Sequence, residues 1–402
     1  MDWSSPPFYP LTPQSSQIPF SEWITLLTLC LAPIIAHIAA GVPQPTYLNP
    51  RSDHHQHKPA WHNHLPHYNP ISILHRYAAI TDRRIRCLPG SWSPALMAAS
   101  NALFWTESHG WDGSEAVASS CVAHLMHAPK RAHASLLSWE SVKTAVVTLQ
   151  GVQVVWLFAA GFAGRERLPS FAVDMIAFPV AVLGILRVWP ACWLTDDYAF
   201  GGGVHGGARA CVDAATVSAA EGGLDDWFRA GQDERGKLLK GVDGPFRGSG
   251  YWPSRVFRVV FILPLVGLLP VGVLTALPGP WHRTGRMSMT AYLGALLSTV
   301  NLLVAVGIYA YYAARGGCRS TVIPCISKAW YKVLTALFWI AWFGLAVVSA
   351  IETRRTPCGK YSTAREHMDA YHCPGTEFEV LSFVGTCQGV LGKSIGLYNV
   401  ST

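Results

Sequence analysis

The densest set of side chains able to do chemistry is a run of histidines in the first quarter of the chain. Six imidazoles fall within fourteen residues: His54, His55, His57, His62, His64 and His67. Neutral imidazole nitrogens bind Zn, Cu, Ni and Fe, so the run is a candidate transition-metal site. Membrane di-iron enzymes use several separated histidine boxes, whereas this sequence has one cluster. The favoured interpretation is a flexible histidine-rich loop with no stoichiometric metal, and the alternative is a metal site.

Two smaller groups combine imidazoles with carboxylate or thiol side chains. Carboxylates beside an imidazole can do acid–base work or bind a cation, and the first group is Glu107, His109, Asp112 and Glu115. Gly110 and Gly113 favour a simple polar turn there instead. Thiols and imidazoles can bind zinc, and the second group is Cys121, His124, His127 and His133. It lacks a second ligand pair at zinc spacing, so metal binding is the less favoured alternative.

Polar residues inside apolar stretches are a third kind of candidate, because ionisable groups in a bilayer are costly and usually functional. His37, Asp174 and Asn301 are such residues and are candidates for a solute or ion path. Arg187 is too far along the same stretch to pair with Asp174, about 20 Å on a helix. We expect Arg187 to extend to the cytoplasmic face. The favoured alternative for Asp174 and Asn301 is interhelical hydrogen bonding that supports packing.

The composition indicates which elements position these residues. Half of the 402 residues are hydrophobic, 14% are charged, and the mean hydropathy is +0.24. This balance argues against a disordered chain, a secreted disulfide scaffold and an ordinary soluble enzyme. Six stretches are long and apolar enough to cross a bilayer: Trp23 to Gly41, Thr144 to Phe162, Phe171 to Leu194, Val256 to Leu277, Ala291 to Ala314 and Trp330 to Ile351. The sequence predicts an all-α polytopic membrane helix bundle of about six transmembrane helices with long cytoplasmic loops.

The basic residues indicate an orientation, since Lys and Arg favour the cytoplasmic side. Segments 42–143 and 195–253 are rich in basic residues, the loop before the sixth stretch carries Arg315, Arg319 and Lys328, and the tail 1–22 has none. We therefore expect these three segments inside, and both termini, including the tail 352–402, outside or lumenal. The first segment is expected to hold an interfacial helix at 92–106, and the Gly-rich second segment to be a flexible loop. Arg76 to Arg86 is expected to be a solvated charge run, with contact to anionic headgroups as the alternative.

Three residues near the end of the chain support an outside C-terminus. Cys358 and Cys373 share one short polar segment and are candidates for a disulfide in an oxidising compartment. Asn399 begins a three-residue glycosylation acceptor pattern.

The favoured function is non-enzymatic: a small-solute or ion transporter, or a membrane scaffold, with no cofactor. The alternative is a membrane-embedded metalloenzyme that acts on a lipid or another apolar substrate and uses a transition metal. The expected partners are the lipid bilayer and anionic lipid headgroups. We expect no nucleic-acid partner and predict no oligomeric state.

Three stretches carry a resemblance to known proteins: PFSEWITLLTLCLAPIIAHIAAGVP at Pro19 to Pro43, HYNPISILHRYAAITDRRIR at His67 to Arg86, and NALFWTESHGWDGSE at Asn101 to Glu115. They resemble uncharacterised multi-pass membrane proteins of filamentous fungi. The resemblance covers the first third of the chain best. It implies an integral membrane protein, and it implies no activity and no site residues.

Overall fold

The structure, a computed structural model, describes residues 8–47, 59–106, 110–162, 172–200, 245–276 and 287–365. Ten α-helices occur among them: α1 (Phe20–Gly41), α2 (Trp61–His64), α3 (Pro70–Arg86), α4 (Pro94–Asn101), α5 (Glu115–Cys121), α6 (Trp139–Phe162), α7 (Phe178–Gly184), α8 (Trp252–Ala276), α9 (Met289–Ala314) and α10 (Ala329–Glu352). The strands in the same residues are short: β1 (Pro45–Tyr47), β2 (Leu103–Thr106), β3 (Gly110–Asp112), β4 (Leu125–His127), β5 (Ala199–Phe200), β6 (Arg354–Arg355) and β7 (Tyr361–Ser362). The described chain is therefore mostly helical, as its composition predicts.

Four helices are long and apolar enough to cross a membrane, judged by length and composition: Phe20–Gly41, Trp252–Leu274, Met289–Ala314 and Ala329–Glu352. They belong to α1, α8, α9 and α10, at the first, fourth, fifth and sixth apolar stretches of the sequence. Many of their large apolar side chains lie exposed on the protein surface, among them Ile35, Leu263, Leu303 and Phe343. Soluble proteins rarely expose so much contiguous apolar surface, so these helices are compatible with a membrane protein.

The second and third apolar stretches have different structures. Over the second stretch, α6 is one helix of 24 residues. The third stretch is broken into α7 and three 3-10 turns, at Val173–Met175, Ile185–Val188 and Ala191–Trp193. Pro179 lies in the first turn of α7, and Pro190 precedes the last 3-10 turn. The prediction of one continuous helix over 171–194 is therefore wrong.

Contacts between helix termini define two ends of the bundle. Glu352, at the end of α10, accepts a hydrogen bond from the Thr290 N–H at the start of α9 (2.8 Å). Glu22, at the start of α1, forms an ion pair with Arg355 just after α10 (2.9 Å). A carboxylate at a helix N-terminus is favourable because it meets the positive end of the helix dipole. We call this the Glu352 end, and it also holds the antiparallel pair β6–β7.

The opposite end is organised around α3, and we call it the α3 end. Ser254, at the start of α8, donates a hydrogen bond to Asp82 of α3. At the start of α10, the Tyr331 hydroxyl lies 2.7 Å from the Ser72 hydroxyl of α3. Helices α8 and α10 therefore begin at the α3 end, whereas α1 and α9 begin at the Glu352 end.

The broken third segment also connects the two ends. The Val173 N–H donates to the Thr353 hydroxyl at the Glu352 end (3.2 Å), while Arg187 reaches the Ala40 carbonyl in the last turn of α1. Helix α6 begins at the α3 end, where Glu140 in its first turn pairs with Arg187.

Apolar packing joins these segments in two main clusters. Near the α3 end, Tyr77 and Ile80 of α3 pack with Phe261 of α8. Further along the bundle, Leu26 of α1 packs in a cluster with Trp342 of α10 and with the 3-10 turn that holds Asp174. Close packing of this kind fixes α3 against the long helices and so determines where its polar side chains lie.

Helix α3 is buried along nearly its whole length. Asn69 caps its N-terminus by accepting a hydrogen bond from the Ile71 N–H at 2.9 Å, and Pro70 occupies the first helical position. Of its 17 residues, all but Arg84 and Ile85 are buried. The prediction of a solvated charge run at 76–86 is therefore wrong. Burial among helices also separates most of this run from lipid headgroups.

The segment expected to form an interfacial helix, 92–106, folds in two parts. Ser93 caps the short helix α4 by accepting from the Leu96 N–H at 3.1 Å, and residues 96–101 are buried. The aromatic-rich residues of β2 follow, and such side chains favour strands. β2 pairs parallel with β1 and antiparallel with β3. The prediction of a single interfacial helix is wrong.

Candidate functional site

Asp82, in the last third of α3, is the centre of a buried ionic cluster. Its carboxylate accepts hydrogen bonds from Arg86 Nε (2.8 Å), from Arg258 Nε (3.2 Å) and from the Ser254 hydroxyl. Arg86 also pairs with Glu115 in the first turn of α5. Asp82 and Arg86 are four residues apart, the spacing at which side chains meet on one helix face. The cluster connects α3, α5 and α8.

A second ionic cluster is centred on Arg187, which is fully buried. Its guanidinium pairs with Glu140, donates to the Ala40 carbonyl, and donates to the hydroxyls of Thr144 (2.9 Å) and Tyr77 (3.2 Å). A cation in this position is favourable because it meets the negative end of the α1 helix dipole. The expectation that Arg187 extends to the cytoplasmic face is wrong, because α6 supplies a buried carboxylate for it.

Arg76, on α3, is also buried, but it has no carboxylate partner among the residues that the structure describes. Its guanidinium donates to the Gly41 carbonyl (3.0 Å) and to the main-chain and side-chain oxygens of Asn101 (3.1 and 3.2 Å). These acceptors are neutral, so they satisfy the hydrogen bonds without balancing the charge. Burial lowers the pKa of the Arg76 guanidinium, although Tyr198 and Asp196 nearby act in the opposite direction.

Arg83 lies seven residues after Arg76 and is fully buried. One Nη atom donates to the carbonyls of Gly113 (2.6 Å) and Arg319 (2.8 Å). Its Nε and its other Nη have no hydrogen-bond partner in the described part of the chain. Burial lowers the pKa of Arg83 to about 10, so the group stays positively charged at neutral pH. The seven-residue spacing puts Arg83 and Arg76 on the same face of α3.

The charges at the α3 end do not balance. Five arginines are buried there: Arg76, Arg83, Arg86, Arg187 and Arg258. The carboxylates that pair with them, among the described residues, are Asp82, Glu115 and Glu140. Arg76 and Arg83 are the two that form no ion pair among the described residues. Carboxylates act on them only from a greater distance: Asp196 raises the pKa of Arg76, and Glu115, Asp112 and Asp82 raise that of Arg83. A buried charge without an ion pair is expensive, which makes these two arginines the strongest candidate for a functional site.

A small cavity of about 20 Å³ lies beside Arg76. Polar side chains in its lining come from His67, Ser72 and Thr321. His67 is buried, and its Nε2 has no hydrogen-bond partner among the described residues. Burial, followed by the neighbouring His64 and Arg76, lowers the pKa of His67 to about 3, so the ring is neutral at neutral pH. The cavity has room for one water molecule or one small ion.

The histidine cluster predicted as a metal site is described only in part. His54, His55 and His57 lie outside the described residues. Of the rest, His62 is exposed, while His64 and His67 pack edge-on against Trp111, with ring centroids 5.1 and 4.7 Å away. No group of three metal-ligating side chains occurs in the described residues. Metal binding by the whole cluster therefore stays a prediction.

The predicted acid–base group is divided between other roles. Glu107 and His109 lie outside the described residues. The Asp112 carboxylate accepts a hydrogen bond from the Ser114 N–H (2.7 Å), which stabilises the turn into α5. Glu115 is a partner of Arg86. The two described members therefore support the polar-turn interpretation and the arginine cluster.

The predicted thiol–imidazole group does not converge either. Cys121 is fully buried in an apolar cluster with Phe104. His127 is exposed and lies 2.8 Å from the Asp197 carboxylate. The remaining members, His124 and His133, form no metal-ligating group with them among the described residues.

The three predicted path residues occupy separate places. His37 is buried in α1, and neither ring nitrogen has a hydrogen-bond partner among the described residues. Asp174 lies in the 3-10 turn near the Glu352 end. One of its carboxylate oxygens is buried and has no hydrogen-bond partner among the described residues. Asn301 is half-buried in the middle of α9. A path through these three residues stays a prediction.

The features predicted near the C-terminus are mostly outside the described residues. Cys358, in the turn between β6 and β7, is disulfide-bonded, and no other described cysteine forms a disulfide. Its partner therefore lies outside the described ranges, as do Cys373 and Asn399. The pairing with Cys373 and glycosylation at Asn399 stay predictions.

The arginine cluster was not among the residues that sequence reasoning selected. A signal was present, since Asn69 and Pro70 predict a helix start and the charges of 76–86 follow within that helix. A basic run of this kind fits a surface helix as well as a buried one. Only the contacts from α5 and α8, which lie elsewhere in the sequence, show that α3 is the buried kind.

Fold and site together define a mostly helical protein with four helices of membrane-spanning length and a buried arginine-rich end, which is compatible with a membrane protein. No protein-family model matches the chain, and neither a curated protein nor a solved structure matches it. The resemblance to membrane proteins of filamentous fungi therefore stays a prediction.

Proposed function

We propose that this chain is a six-crossing integral membrane protein of the transporter class that carries a small anion. The observation that carries the proposal is that Arg76 and Arg83 are buried on one face of α3 without a carboxylate partner among the described residues. Rings of arginine or lysine select anions in membrane pores. A bound anion would give these guanidiniums the ion pair that they lack among the described residues.

The arrangement of the crossings supports this proposal. The third crossing, residues 172–193, is discontinuous, and transporter binding sites are typically formed where helices are broken. Arg187, from this segment, and Arg76 both donate to carbonyls in the last turn of α1. The broken crossing thus meets α1 and α3 beside the cavity at Arg76. A cavity of this size corresponds to a closed conformation that holds one small ion.

Binding is tested by unfolding the detergent-purified chain in chloride, nitrate, phosphate or acetate, against gluconate at equal ionic strength. A ligand that binds only the folded state stabilises it by RT ln(1 + [L]/Kd), about 2.7 kcal/mol at 100 times Kd. We expect at least one small anion to stabilise the protein and Arg76→Gln, which changes the arginine that lines the cavity, to remove the effect. Arg315→Gln, the same chemical change at an exposed position of the α3 end, should retain it.

Flux into proteoliposomes separates transport from other roles. The transporter proposal expects uptake of the stabilising anion, and loss of uptake in Arg76→Gln but not in Arg315→Gln. Anion binding without flux would point instead to a membrane scaffold stabilised by an anion. If no small anion changes stability or crosses the membrane, the proposal is abandoned.

We also propose that the α3 end faces the cytoplasm, as the basic residues of its loops predict. Cys192 provides a test, because it is exposed and its carbonyl accepts from the Ala134 N–H at the α3 end. A membrane-impermeant maleimide should label Cys192 only after cells are permeabilised. Cys192→Ser should remove the increase in labelling that permeabilisation causes. Full labelling of intact cells at Cys192 would reverse the orientation.

A further inference from the structure

The loop between β4 and α6, residues 128–138, presents apolar side chains that nothing in the described chain covers. Leu136 is 91% exposed and Leu137 is 96% exposed. Trp139, the first residue of α6, is 70% exposed. Three large apolar side chains this exposed and this close in sequence are unfavourable in water. They indicate a surface that is covered in the working protein.

The loop holds these side chains in place through hydrogen bonds. The Ala134 N–H donates to the Cys192 carbonyl (2.7 Å), and the Trp92 indole N–H donates to the Ala132 carbonyl (2.9 Å). Closer to α6, the Ser141 hydroxyl donates to the Ser135 carbonyl (2.7 Å). The exposed leucines are therefore fixed on the outside of an ordered loop.

Charge accompanies the apolar side chains. Lys130 and Arg131 are exposed in the same loop, and neither forms an ion pair among the described residues. The sequence from Val122 to Trp139 contains no Asp or Glu. The only carboxylate paired with this stretch in the described chain is Asp197, which contacts His127. The loop thus combines positive charge with exposed leucines, the combination that binds an anionic membrane surface.

The position of the loop matches the bilayer interface. Exposed tryptophans stand at the first turn of three long helices at this end: Trp139 on α6, Trp252 on α8 and Trp330 on α10. Tryptophan prefers the membrane–water interface. The loop leads directly into the exposed apolar face of α6, which includes Leu149. The apolar surface is therefore continuous from the helix into the loop.

We propose that the β4–α6 loop docks on the anionic lipid surface, with Leu136 and Leu137 inserted at the headgroup–acyl boundary and Lys130 and Arg131 on lipid phosphates. The proposal rests on the part of the proposed function in which α6 crosses the bilayer, and it does not depend on transport. A basic residue near an anionic surface contributes about fivefold in binding. Loss of both should lower the preference for anionic lipid by about 25-fold.

The first test places an environment-sensitive fluorescent amino acid at Leu137, at Leu149 or at Lys360, in the full chain in nanodiscs. Leu149 is exposed within α6, and Lys360 is exposed at the Glu352 end. We expect an apolar emission at positions 137 and 149 and an aqueous emission at 360. An aqueous emission at 137 with an apolar one at 149 overturns the loop proposal and leaves the crossing intact. Aqueous emission at both overturns the crossing, and the loop proposal with it.

The second test measures lipid preference. Nanodiscs of phosphatidylcholine alone, or with phosphatidylglycerol, are compared by counting retained lipids in native mass spectrometry. We expect retention of phosphatidylglycerol to fall in the double variant Lys130→Glu/Arg131→Glu and to be unchanged in Lys360→Glu. Equal retention in both variants overturns the lipid assignment. Concentration-dependent self-association of the unmodified chain that is lost in Leu136→Ser/Leu137→Ser would identify a second copy as the occupant instead.

Discussion

Replacing Asp82 with Asn removes the carboxylate that two buried arginines share. Asn has nearly the same volume, so the variant changes charge and leaves packing intact. Arg86 retains Glu115, whereas Arg258 loses its carboxylate partner among the described residues. Removing one partner of a buried ion pair costs about 3–5 kcal/mol, because the remaining charge is left buried and unpaired. We expect the free energy of unfolding of Asp82→Asn to fall by about that amount.

Equilibrium unfolding in mixed detergent and sodium dodecyl sulfate, followed by circular dichroism, measures this change. The matched control is Asp197→Asn, which removes an exposed carboxylate 2.8 Å from His127. Exposed pairs contribute about 0–1 kcal/mol. Adding Arg258→Gln to Asp82→Asn should recover part of the loss, since it removes the orphaned charge. A loss below about 1 kcal/mol in Asp82→Asn, no larger than in the control, would refute the reasoning.

Three further predictions use the same unfolding assay or peptide mapping. Gly184→Ala should destabilise by about 1–3 kcal/mol, because the new Cβ would lie 2.9 Å from a backbone carbonyl of α6, whereas Gly267→Ala, with nothing within 4 Å, should be neutral or stabilising. Burial holds the pKa of His75 at about 4, below its ordinary 6.5, so stability is present above pH 6.5 and declines as pH falls. Between pH 7 and pH 5, the His75 contribution should lower the free energy of unfolding by about 2 kcal/mol. His75→Gln should remove this share of the acid sensitivity, and an unchanged dependence of stability on pH would contradict the prediction. Peptide mapping without reductant should recover Cys358 linked to Cys373, and linkage to another cysteine would refute the pairing.

The long helices were predictable because their apolar residues run for more than 20 positions, and length and hydropathy are local properties. The stretches Ala291 to Ala314 and Trp330 to Ile351 became α9 and α10 with boundaries shifted by one or two residues at most. The third stretch has similar hydropathy but contains Pro179 and Pro190. Prolines also lie inside the unbroken helices α1 and α8, so neither hydropathy nor the presence of proline predicted the break.

The candidate site was much less predictable. A run such as Arg76 to Arg86 has the same local pattern whether it faces water, headgroups or a protein interior. Tyr77 and Ile80 belong to an apolar side of α3, and most of its charged residues lie on the opposite side. This is the pattern of a helix with one solvated face, so the sequence does not reveal that the polar side is buried as well. Whether each arginine forms an ion pair depends on whether a carboxylate from another part of the chain packs beside it.

By itself, the sequence determined that this is a helical protein with long apolar helices and basic connecting segments, because length, hydropathy and charge bias act over short distances along the chain. Only the tertiary structure decided which charges are buried. Arg187 meets Glu140 across 47 residues, and Arg258 meets Asp82 across 176 residues. Arg76 and Arg83 meet only carbonyls among the described residues. Electrostatic balance depends on distances in space, and those are set when α3 packs among helices from the other parts of the chain.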